Sequence, residues 1–159
     1  MYKHTAYCHS PLGFIRIEAR QEKITCIEFT EYVPDNFNSG TTLLTECIRQ
    51  LQEYFQGTRR YFTLPCEAKG TEFQKRVWAE VEKIKYASSA TYKDIALAVN
   101  SPGSCRAIGN AVGANPLPLI IPCHRVIGSN GKLTGFSSGL WRKKWLLEHE
   151  QNHMQQRSD

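Results

Sequence analysis

The first third of the chain alternates apolar and polar residues with the period of two that is typical of β-strands. Residues 13–19 (GFIRIEA) alternate in this way, residues 24–29 (ITCIEF) follow as a second apolar stretch, and only a short polar turn separates the two. This spacing predicts a β-hairpin, to which residues 2–9 add an edge strand. The polar composition of residues 30–40 predicts a loop.

A helical period replaces the alternation after residue 40. In residues 41–57 (TTLLTECIRQLQEYFQG) apolar side chains recur three or four positions apart. Thr41 or Thr42 can cap the start of this helix, and Gly57 suits the left-handed position at its end. Residues 60–65 (RYFTLP) are expected to add one short strand. These elements predict a compact α+β unit.

The second part of the chain has short helical segments instead of strands. Thr71 and Gln74 have the spacing of a capping box at the start of one helix. Residues 91–99 (TYKDIALAV) and residues 104–114 (SCRAIGNAVGA) predict two more helices, joined by a turn at residues 100–103 (NSPG). Such a pair is typical of a DNA-binding helix–turn–helix. The small residues of the later helix are equally compatible with tight packing inside the domain.

A closing helix and a polar linker complete the predicted organisation. Residues 140–150 (LWRKKWLLEHE) have helical spacing, and four of their apolar side chains are expected to face a core: Leu140, Trp145, Leu146 and Leu147. The linker CEAKG, residues 66–70, marks a domain boundary near residue 68. The predicted divisions are an N-terminal α+β domain at residues 1–68, a mostly helical C-terminal domain at residues 69–152 and a frayed polar tail at residues 153–159.

Composition and charge narrow the class of protein. The chain has 159 residues, of which 41% are hydrophobic, enough for one or two small cores. It has neither an apolar run of the roughly 20 residues that span a bilayer nor an N-terminal signal peptide. We therefore expect a soluble, cytoplasmic protein, associated with the nucleoid if it is bacterial. The net charge of +5 is compatible with nucleic-acid binding and equally with ordinary surface lysines.

The six cysteines have neither the spacing of a disulfide framework nor that of a zinc finger. They form no CxxC pair, so we expect reduced thiols, mostly in the core, and no metal site. One cysteine stands apart because of its neighbours. Cys123 follows a proline and precedes a histidine at the end of an apolar run, IIPCHRV (residues 120–126).

Cys123 and His124 are a candidate nucleophile and base. A thiol reacts as its thiolate, a histidine can accept its proton, and a carboxylate can hold that histidine in the useful tautomer. Glu148 and Glu150, on the predicted closing helix, are both candidate orienters, and His149 is a competing histidine. From these residues alone, an inert buried cysteine and a Cys/His/Glu hydrolase both remain open.

The surroundings of Cys123 resemble those of a known family. IPCHRVIG, preceded by RAIGNAVGANPLP and followed by TGFSSG and KKWLLEHE, closely resembles the O6-alkylguanine-DNA alkyltransferases over about residues 71–150. The resemblance implies irreversible, single-turnover transfer of the alkyl group from O6 of guanine in double-stranded DNA to Cys123. It also implies a ribonuclease-H-like N-terminal domain, a winged-helix-like C-terminal domain, no cofactor and a monomer in solution.

The same resemblance implies roles in the chemistry. His124, oriented by Glu150, would activate Cys123 through a water molecule. Tyr92 would help to rotate the target nucleotide and would give a proton to the departing guanine. Arg106 would enter the base stack at the position that the flipped guanine leaves.

Further residues would bind guanine or the minor groove of DNA. Asn115 would brace the recognition helix against the active-site turn, the Val126 carbonyl would accept from the guanine amine, and Ser137 would contact the O6 region. Arg125 is either a phosphate contact or structural. The remaining candidates for DNA contact are small residues of the second motif helix and one lysine: Ala107, Gly109, Ala111, Ala114 and Lys93.

The sequence departs from the family at two points. Phe136 stands where many members carry a tyrosine in the loop over the guanine, so the ring is kept and the hydroxyl is lost. The histidines of the zinc site that some N-terminal domains carry are not evident, so we expect none here. A related subgroup lacks the cysteine and only marks lesions, which makes a non-catalytic lesion sensor the alternative function.

Overall fold

The chain divides into two compact units, Met1–Lys69 and Gly70–Asp159, in a computed structural model that describes residues 2–35 and 40–157. Part of the loop expected at residues 30–40, and the last two residues of the expected tail, lie outside the described residues. Within the described ranges, no helix is both long enough and apolar enough to cross a membrane.

A three-stranded antiparallel sheet opens the first unit. Its strands, in spatial order, are β1 (Lys3–Ser10), β2 (Gly13–Arg20) and β3 (Lys23–Thr30). Ile17 of the central strand pairs with Ala6 on one side and Ile27 on the other, and all three side chains are buried. The predicted hairpin is confirmed. Its turn residues, Gln21 and Glu22, have φ of 51° and 61°, as a type I′ turn requires.

One helix covers this sheet, as the sequence predicted. Helix α1 (Thr42–Gln56) begins where the Thr41 side chain accepts the N–H of Leu44, and it ends at Gly57, whose φ is 84°. Its apolar stripe lies in the core of the first unit: Leu44, Cys47, Leu51 and Tyr54.

The strand predicted at residues 60–65 is wrong. The segment ends in a proline, which has no N–H to add to a ladder. The side chain of Gln50 holds the segment instead, because its Oε1 accepts the N–H of Thr63 at 2.9 Å. An isolated bridge between Ile24 and Cys66 attaches the residues that follow.

Four helices form most of the second unit. They are α2 (Glu72–Glu82), α3 (Tyr92–Ala98), α4 (Cys105–Gly113) and α5 (Leu140–Arg157). Thr71 forms a capping box with Gln74, and Thr91 forms another with Asp94. Each of these starts is set by side chains only three residues apart. The mixed α+β class that the sequence predicted is confirmed.

Helices α3 and α4 form the predicted helix–turn–helix. The indole N–H of Trp78 donates to the carbonyl of Ala111 at 2.8 Å and holds α4 against α2. Two short strands, β4 (Ala90–Thr91) and β5 (Val126–Ile127), pair in parallel. This pairing brings the start of α3 beside the segment that contains the cysteine.

Helix α5 differs from its prediction in length and in its buried face. It continues to Arg157, through most of the expected tail. Leu140 is 48% exposed, so the expected core position of this residue is wrong. The buried stripe instead includes Lys143, Leu146 and Glu150, which lie three and four positions apart. Two of these three are ionisable, which is why apolar spacing did not predict this face.

Candidate active site

Cys123 begins a 3₁₀ turn and is only 6% exposed. Pro122, with φ of −78° and ψ of 64°, forms an inverse γ-turn in which the N–H of Cys123 donates to the carbonyl of Ile121 at 2.7 Å. The Asn115 amide donates to the same carbonyl at 2.8 Å, and its oxygen accepts the N–H of Leu117. Asn115 therefore ties the end of α4 to the cysteine turn.

The Cys123 thiol is protonated in its resting state. Burial raises the pKa of this thiol, while a hydrogen bond from Asn115 and the positive charge of Lys143 act in the opposite direction without reversing the shift. A buried thiol with a raised pKa becomes a nucleophile only if a nearby base takes its proton.

His124, the residue after Cys123, forms a buried pair with Glu150. Nε2 of His124 lies 2.7 Å from Oε2 of Glu150, and both side chains are fully buried. Burial would raise the pKa of Glu150, but the hydrogen bonds and charges of His124 and Arg125 outweigh it and hold that pKa well below its usual range. The carboxylate is therefore ionised and can only accept, so Nε2 of His124 carries the proton.

The other ring nitrogen of His124 is available as a proton acceptor. Burial lowers the pKa of His124, the charges of Arg125 and Lys143 lower it further, and Glu150 opposes them. The imidazole is consequently neutral near pH 7, with a lone pair on Nδ1. This buried nitrogen has no hydrogen-bond partner among the described protein atoms. It can take the thiol proton directly or through a water molecule.

Sequence reasoning missed Lys143. Its ammonium is fully buried, donates to the carbonyl oxygens of Val126 and of Thr134 (2.9 Å), and lies 3.5 Å from the Tyr92 hydroxyl. Burial lowers the pKa of Lys143 to about 8. The Tyr92 hydroxyl donates to the same Thr134 carbonyl at 2.9 Å, and burial raises the pKa of this phenol. One ammonium therefore links the start of β5, the loop that follows β5, and α3.

The signal for Lys143 was present in the sequence but was not used. Three basic residues follow one another in the motif LWRKKW, and composition does not distinguish them. Helical spacing does, because Lys143 lies seven positions before Glu150 and therefore on the same face. A lysine in register with a candidate catalytic carboxylate could have been proposed from that spacing.

A cleft of about 430 Å³ opens on one side of Tyr92. Gly135 lines it with φ of 62°, and a β-carbon there would lie 3.3 Å from the Tyr92 hydroxyl oxygen. The other residues that line the cleft come from α4 and from the loop before α5: Cys105, Arg106, Gly109, Asn110 and Thr134. The candidate catalytic tyrosine, at the start of α3, therefore lines the same cleft as residues of α4.

The candidate DNA-contacting residues of the helix–turn–helix differ in their exposure. Arg106, Ala107 and Ala114 are exposed, Gly109 is partly exposed, and Lys93 is exposed on α3. Ala111 is different, because only 3% of it is exposed and its side chain belongs to the core. Contrary to expectation, Ala111 cannot present its methyl group to a groove.

The loop between β5 and α5 carries the other two expected guanine contacts. Phe136 is buried at 9% exposure, while the following Ser137 is exposed. The alternative members of a triad lie elsewhere on α5. Glu148 is exposed, and the ring of His149 stacks on Trp145 with centroids 4.7 Å apart.

Arg125 does not face solvent. It is 6% exposed, so it does not contact a phosphate on the protein surface, and this alternative is withdrawn.

All six cysteines are free thiols. Across residues 2–35 and 40–157, no group of three or more His, Cys, Asp and Glu side chains is arranged to hold a metal ion.

Comparisons with known proteins cover nearly the whole chain. The DNA-binding domain of 6-O-methylguanine DNA methyltransferase matches residues 72–152, and its ribonuclease-like domain matches residues 1–68. A methylated-DNA–protein-cysteine methyltransferase of Methanosarcina barkeri is 39% identical over 150 residues, covering 91% of this chain and 95% of that protein. The constitutive one of Bacillus subtilis is 43% identical over 146 residues, covering 87% and 88%.

Solved structures agree with these sequence comparisons. The crystal structure of Mycobacterium tuberculosis O6-methylguanine methyltransferase matches with a TM-score of 0.86 and 34% identity, covering 96% of this chain and 94% of that one. The Mycobacterium tuberculosis OGT in complex with DNA matches with a TM-score of 0.87 and 35% identity, covering 94% of each chain.

Proposed function

The chain belongs to the 6-O-methylguanine DNA methyltransferase family, and we propose that Cys123 is the residue that accepts the alkyl group. The protein is a direct-reversal DNA repair enzyme of the methylated-DNA–protein-cysteine methyltransferase type. It transfers an alkyl group from O6 of guanine in DNA to one of its own cysteines. Its partner is DNA that contains the alkylated guanine.

The observation that carries the assignment is the buried pair next to Cys123. His124 directs its proton-bearing Nε2 at Glu150 and keeps a lone pair on Nδ1. Cys123 is the neighbouring residue, and its raised pKa means that it needs a base. Of the six cysteines, it is the one that directly precedes a buried histidine paired with a carboxylate.

In the proposed reaction, His124 takes the proton of Cys123, through water, and Glu150 stabilises the imidazolium that forms. The thiolate attacks the alkyl carbon in line with the bond to O6. A carbon–sulfur bond forms as the carbon–oxygen bond breaks, and the electron pair of that bond leaves with the guanine. The thioether product is stable, so each molecule reacts once.

Tyr92 is proposed to give the departing guanine its proton. Its hydroxyl donates to the Thr134 carbonyl in the free protein and faces the open cleft. A guanine base beside this hydroxyl would compete with Thr134 for its proton. Lys143 lies 3.5 Å from the same hydroxyl, and its positive charge stabilises negative charge that develops on the phenol oxygen.

The helix–turn–helix is proposed to bind the duplex in its minor groove. Arg106 is the candidate for the side chain that fills the gap in the base stack, because it is exposed and lines the cleft beside Tyr92. The exposed small residues Ala107 and Ala114, with Gly109, allow close approach of α4 to DNA. Lys93 is proposed to contact a phosphate.

The guanine itself is proposed to lie between the cysteine turn and the loop before α5. The Val126 carbonyl accepts one bond from Lys143 and has a second lone pair for the guanine amine. Ser137 is exposed on that loop, and Phe136 is buried and has no hydroxyl to donate. Asn115 keeps the turn in register with α4.

The remaining proposals concern organisation and location. We assign the ribonuclease-like fold to residues 1–68, the DNA-binding and alkyl-transfer domain to residues 69–152, and a polar end to residues 153–159. We also propose that the protein acts as a monomer in the cytoplasm, associated with the nucleoid if it is bacterial, where its DNA substrate and reduced thiols are found together.

The decisive experiment is intact-protein mass spectrometry after reaction with a duplex that contains one O6-methylguanine. We expect one addition of about 14 Da per chain, saturating at a ratio of one, because the nucleophile forms a stable covalent product. Peptide mapping should locate the methyl group on Cys123. The matched control is Cys105→Ser, which removes an exposed thiol that lines the cleft and should leave the transfer intact.

Two outcomes would contradict the proposal. Methylation of a cysteine other than Cys123 would make the nucleophile assignment wrong. Unchanged mass with the duplex still bound would instead identify a lesion-binding sensor, and Cys123 would then be an inert core residue.

A further inference from the structure

Arg125 makes hydrogen bonds that have no role in the reaction proposed above. Its Nε donates to Oε1 of Glu150 at 2.9 Å and its Nη2 donates to Oε2 at 3.0 Å, which is the two-pronged geometry of a strong arginine–carboxylate pair. Its Nη1 donates to the Ile84 carbonyl at 2.7 Å, and its guanidinium carbon lies 5.6 Å from the ring centroid of Tyr86. The guanidinium is therefore held on three sides.

A strained turn supplies a further bond to the same carboxylate. Ala87 has φ of 62°, a left-handed conformation that costs a residue with a β-carbon about 1–2 kcal/mol. In this conformation its N–H donates to Oε1 of Glu150 at 3.0 Å, and its carbonyl accepts from Gln151 at 2.7 Å. Strain of this kind persists where the surrounding structure requires it.

The carboxylate of Glu150 consequently receives four N–H groups. Oε1 accepts from Arg125 and Ala87, and Oε2 accepts from Arg125 and His124. A carboxylate bound on both oxygens in this way cannot rotate or accept a proton without losing several hydrogen bonds. Only one arrangement of His124 satisfies it, with the proton on Nε2 and the lone pair on Nδ1.

We propose that Arg125 is a positioning residue for alkyl transfer: it holds the Glu150 carboxylate ionised and fixed, and through it keeps His124 in the tautomer that can accept the thiol proton. This inference rests on the proposed function and adds to it a third member of the His124–Glu150 pair. Arg125 touches neither the thiol nor the guanine in this scheme. It acts only through Glu150 and through its charge.

A purely structural ion pair would also be buried, so the test must separate the two roles. The charged groups that face the His124–Glu150 pair are Arg125, from the same turn, and Lys143, from α5. Removing one of these two positive charges makes the pair bind its next proton at a higher pH. Loss of packing alone would change the rate by one factor at every pH.

The variants are Arg125→Met, which removes the charge, and Arg125→Lys, which keeps the charge but not the fork. Arg76→Met is the matched control, because Arg76 is an exposed arginine of α2 in the same unit. The single-turnover rate of methyl transfer from an O6-methylguanine duplex is measured between pH 5 and 9. Nitrogen NMR of histidine-labelled protein, without DNA, reports the protonation of both ring nitrogens of His124.

For Arg125→Met we expect the acid limb of the rate profile to move up by about one pH unit or more, because an arginine beside a carboxylate shifts its titration by that much. The NMR signature at neutral pH should change from a neutral ring protonated on Nε2 to a charged or mixed ring. For Arg125→Lys we expect the acid limb to stay in place and the rate to fall roughly tenfold, since one ammonium cannot bind both oxygens. Arg76→Met should match the wild type.

An Arg125→Met profile lowered equally at every pH, with His124 still neutral and protonated on Nε2, would overturn the proposal. If Arg125→Met does not fold, Arg125→Lys carries the test, and a wild-type rate in that variant would also overturn it. The NMR measurement needs no alkylated DNA. If the wild type transfers no methyl group, the proposed function fails, while the His124 tautomer is still tested.

Discussion

The two units of this chain differ in whether their charged side chains are buried. Among the described residues of the first unit, the ion pairs are exposed or only partly buried, and Arg49 with Glu46 and Glu53 is the most exposed example. Among those of the second unit, five histidine, arginine, lysine and glutamate side chains are buried: His124, Arg125, Lys143, His149 and Glu150. Buried charge is costly unless it is paired and hydrogen-bonded. Burial of charged groups therefore costs folding free energy in the second unit more than in the first, and most of these groups lie at the candidate site.

Four of the five buried groups belong to one continuous network around Cys123. Glu150 joins His124 and Arg125 directly, and the charge of Lys143 acts on both Cys123 and His124. Burial alone would neutralise a carboxylate, but the hydrogen bonds and charges of His124 and Arg125 keep Glu150 ionised, while burial lowers the pKa of Lys143 to about 8. The difference between the units predicts that substitutions in the first change stability alone, and that those in the second change chemistry as well.

The largest expected effect comes from Glu150→Gln. The substitution leaves the guanidinium of Arg125 buried without its carboxylate, which should lower the free energy of unfolding by about 3–5 kcal/mol. Without the carboxylate, His124 loses both its orientation and the stabilisation of its charged form, and we expect the transfer rate to fall on the order of 10²-fold or more. Denaturant titration and single-turnover kinetics measure the two effects. A wild-type rate in the folded variant would exclude Glu150 from the relay.

Lys143→Met should slow the transfer by roughly tenfold, because the loop at Thr134 and the hydroxyl of Tyr92 lose a shared positive partner. Stability should respond in a pH-dependent way. The folded-state pKa of Lys143, about 8, is below the usual value for lysine, so between about pH 8 and 10 the unfolded chain binds more protons than the folded chain. The contribution of Lys143 to the stability of the wild type therefore increases as the pH rises from about 8 to 10.

The measurement is the difference in unfolding free energy between Lys143→Met and the wild type at several pH values. Taking the difference removes the contribution of groups that titrate alike in both proteins. We expect the unfolding free energy of the variant to fall further below that of the wild type as the pH rises from about 8 to 10. A difference that is constant with pH would mean that Lys143 titrates as an exposed lysine does.

Gln50→Leu tests the first unit. Gln50 is buried and holds the segment around Thr63 through bonds in both directions. Its loss should cost about 1 kcal/mol, the usual net value of such hydrogen bonds. Because no ionisable group of the network lies in this unit, the transfer rate of the folded variant should equal that of the wild type. A slower transfer would show that the first unit contributes to the chemistry.

Arg49→Met should have the smallest effect. Its pairs with Glu46 and Glu53 lie on the surface of α1, where such interactions contribute about 0–1 kcal/mol and are screened by salt. We expect unchanged transfer and a shift in unfolding free energy that disappears at high salt. A large loss of stability would contradict the contrast between the two units.

Local features of the sequence were sufficient for most of the secondary structure. The capping boxes at Thr71 and Thr91 involve partners three residues away, and the hairpin follows from the alternation of β2 and the short polar turn between β2 and β3. These signals act over a few residues, so they can be read without knowing the fold. The segment at residues 60–65 was mispredicted because its partner, Gln50, is thirteen positions from Thr63 and bonds through its side chain.

Only part of the candidate site could be predicted from such local signals. The spacing of Cys123, His124 and the glutamates of α5 suggested a nucleophile, a base and an orienter, and the resemblance to a family favoured Glu150 over Glu148. Which glutamate faces inward depends on the rotation of α5 against the cysteine turn, a packing property. The burial of Ala111 depends likewise on the docking of α4 against α2 through Trp78.

The amino-acid sequence alone therefore predicted most of the elements, the helix–turn–helix and a candidate nucleophilic cysteine with its histidine, because each is encoded within a few neighbouring residues. Packing alone made Lys143 a buried cation, gave Arg125 the carboxylate of Glu150 in place of a phosphate, and held Ala87 in a left-handed turn. The bonds of Arg125 and Ala87 to Glu150 join residues that are 25 and 63 positions apart in the chain. The ionisation of a group depends on every charge and dipole around it, and only the folded chain brings these together.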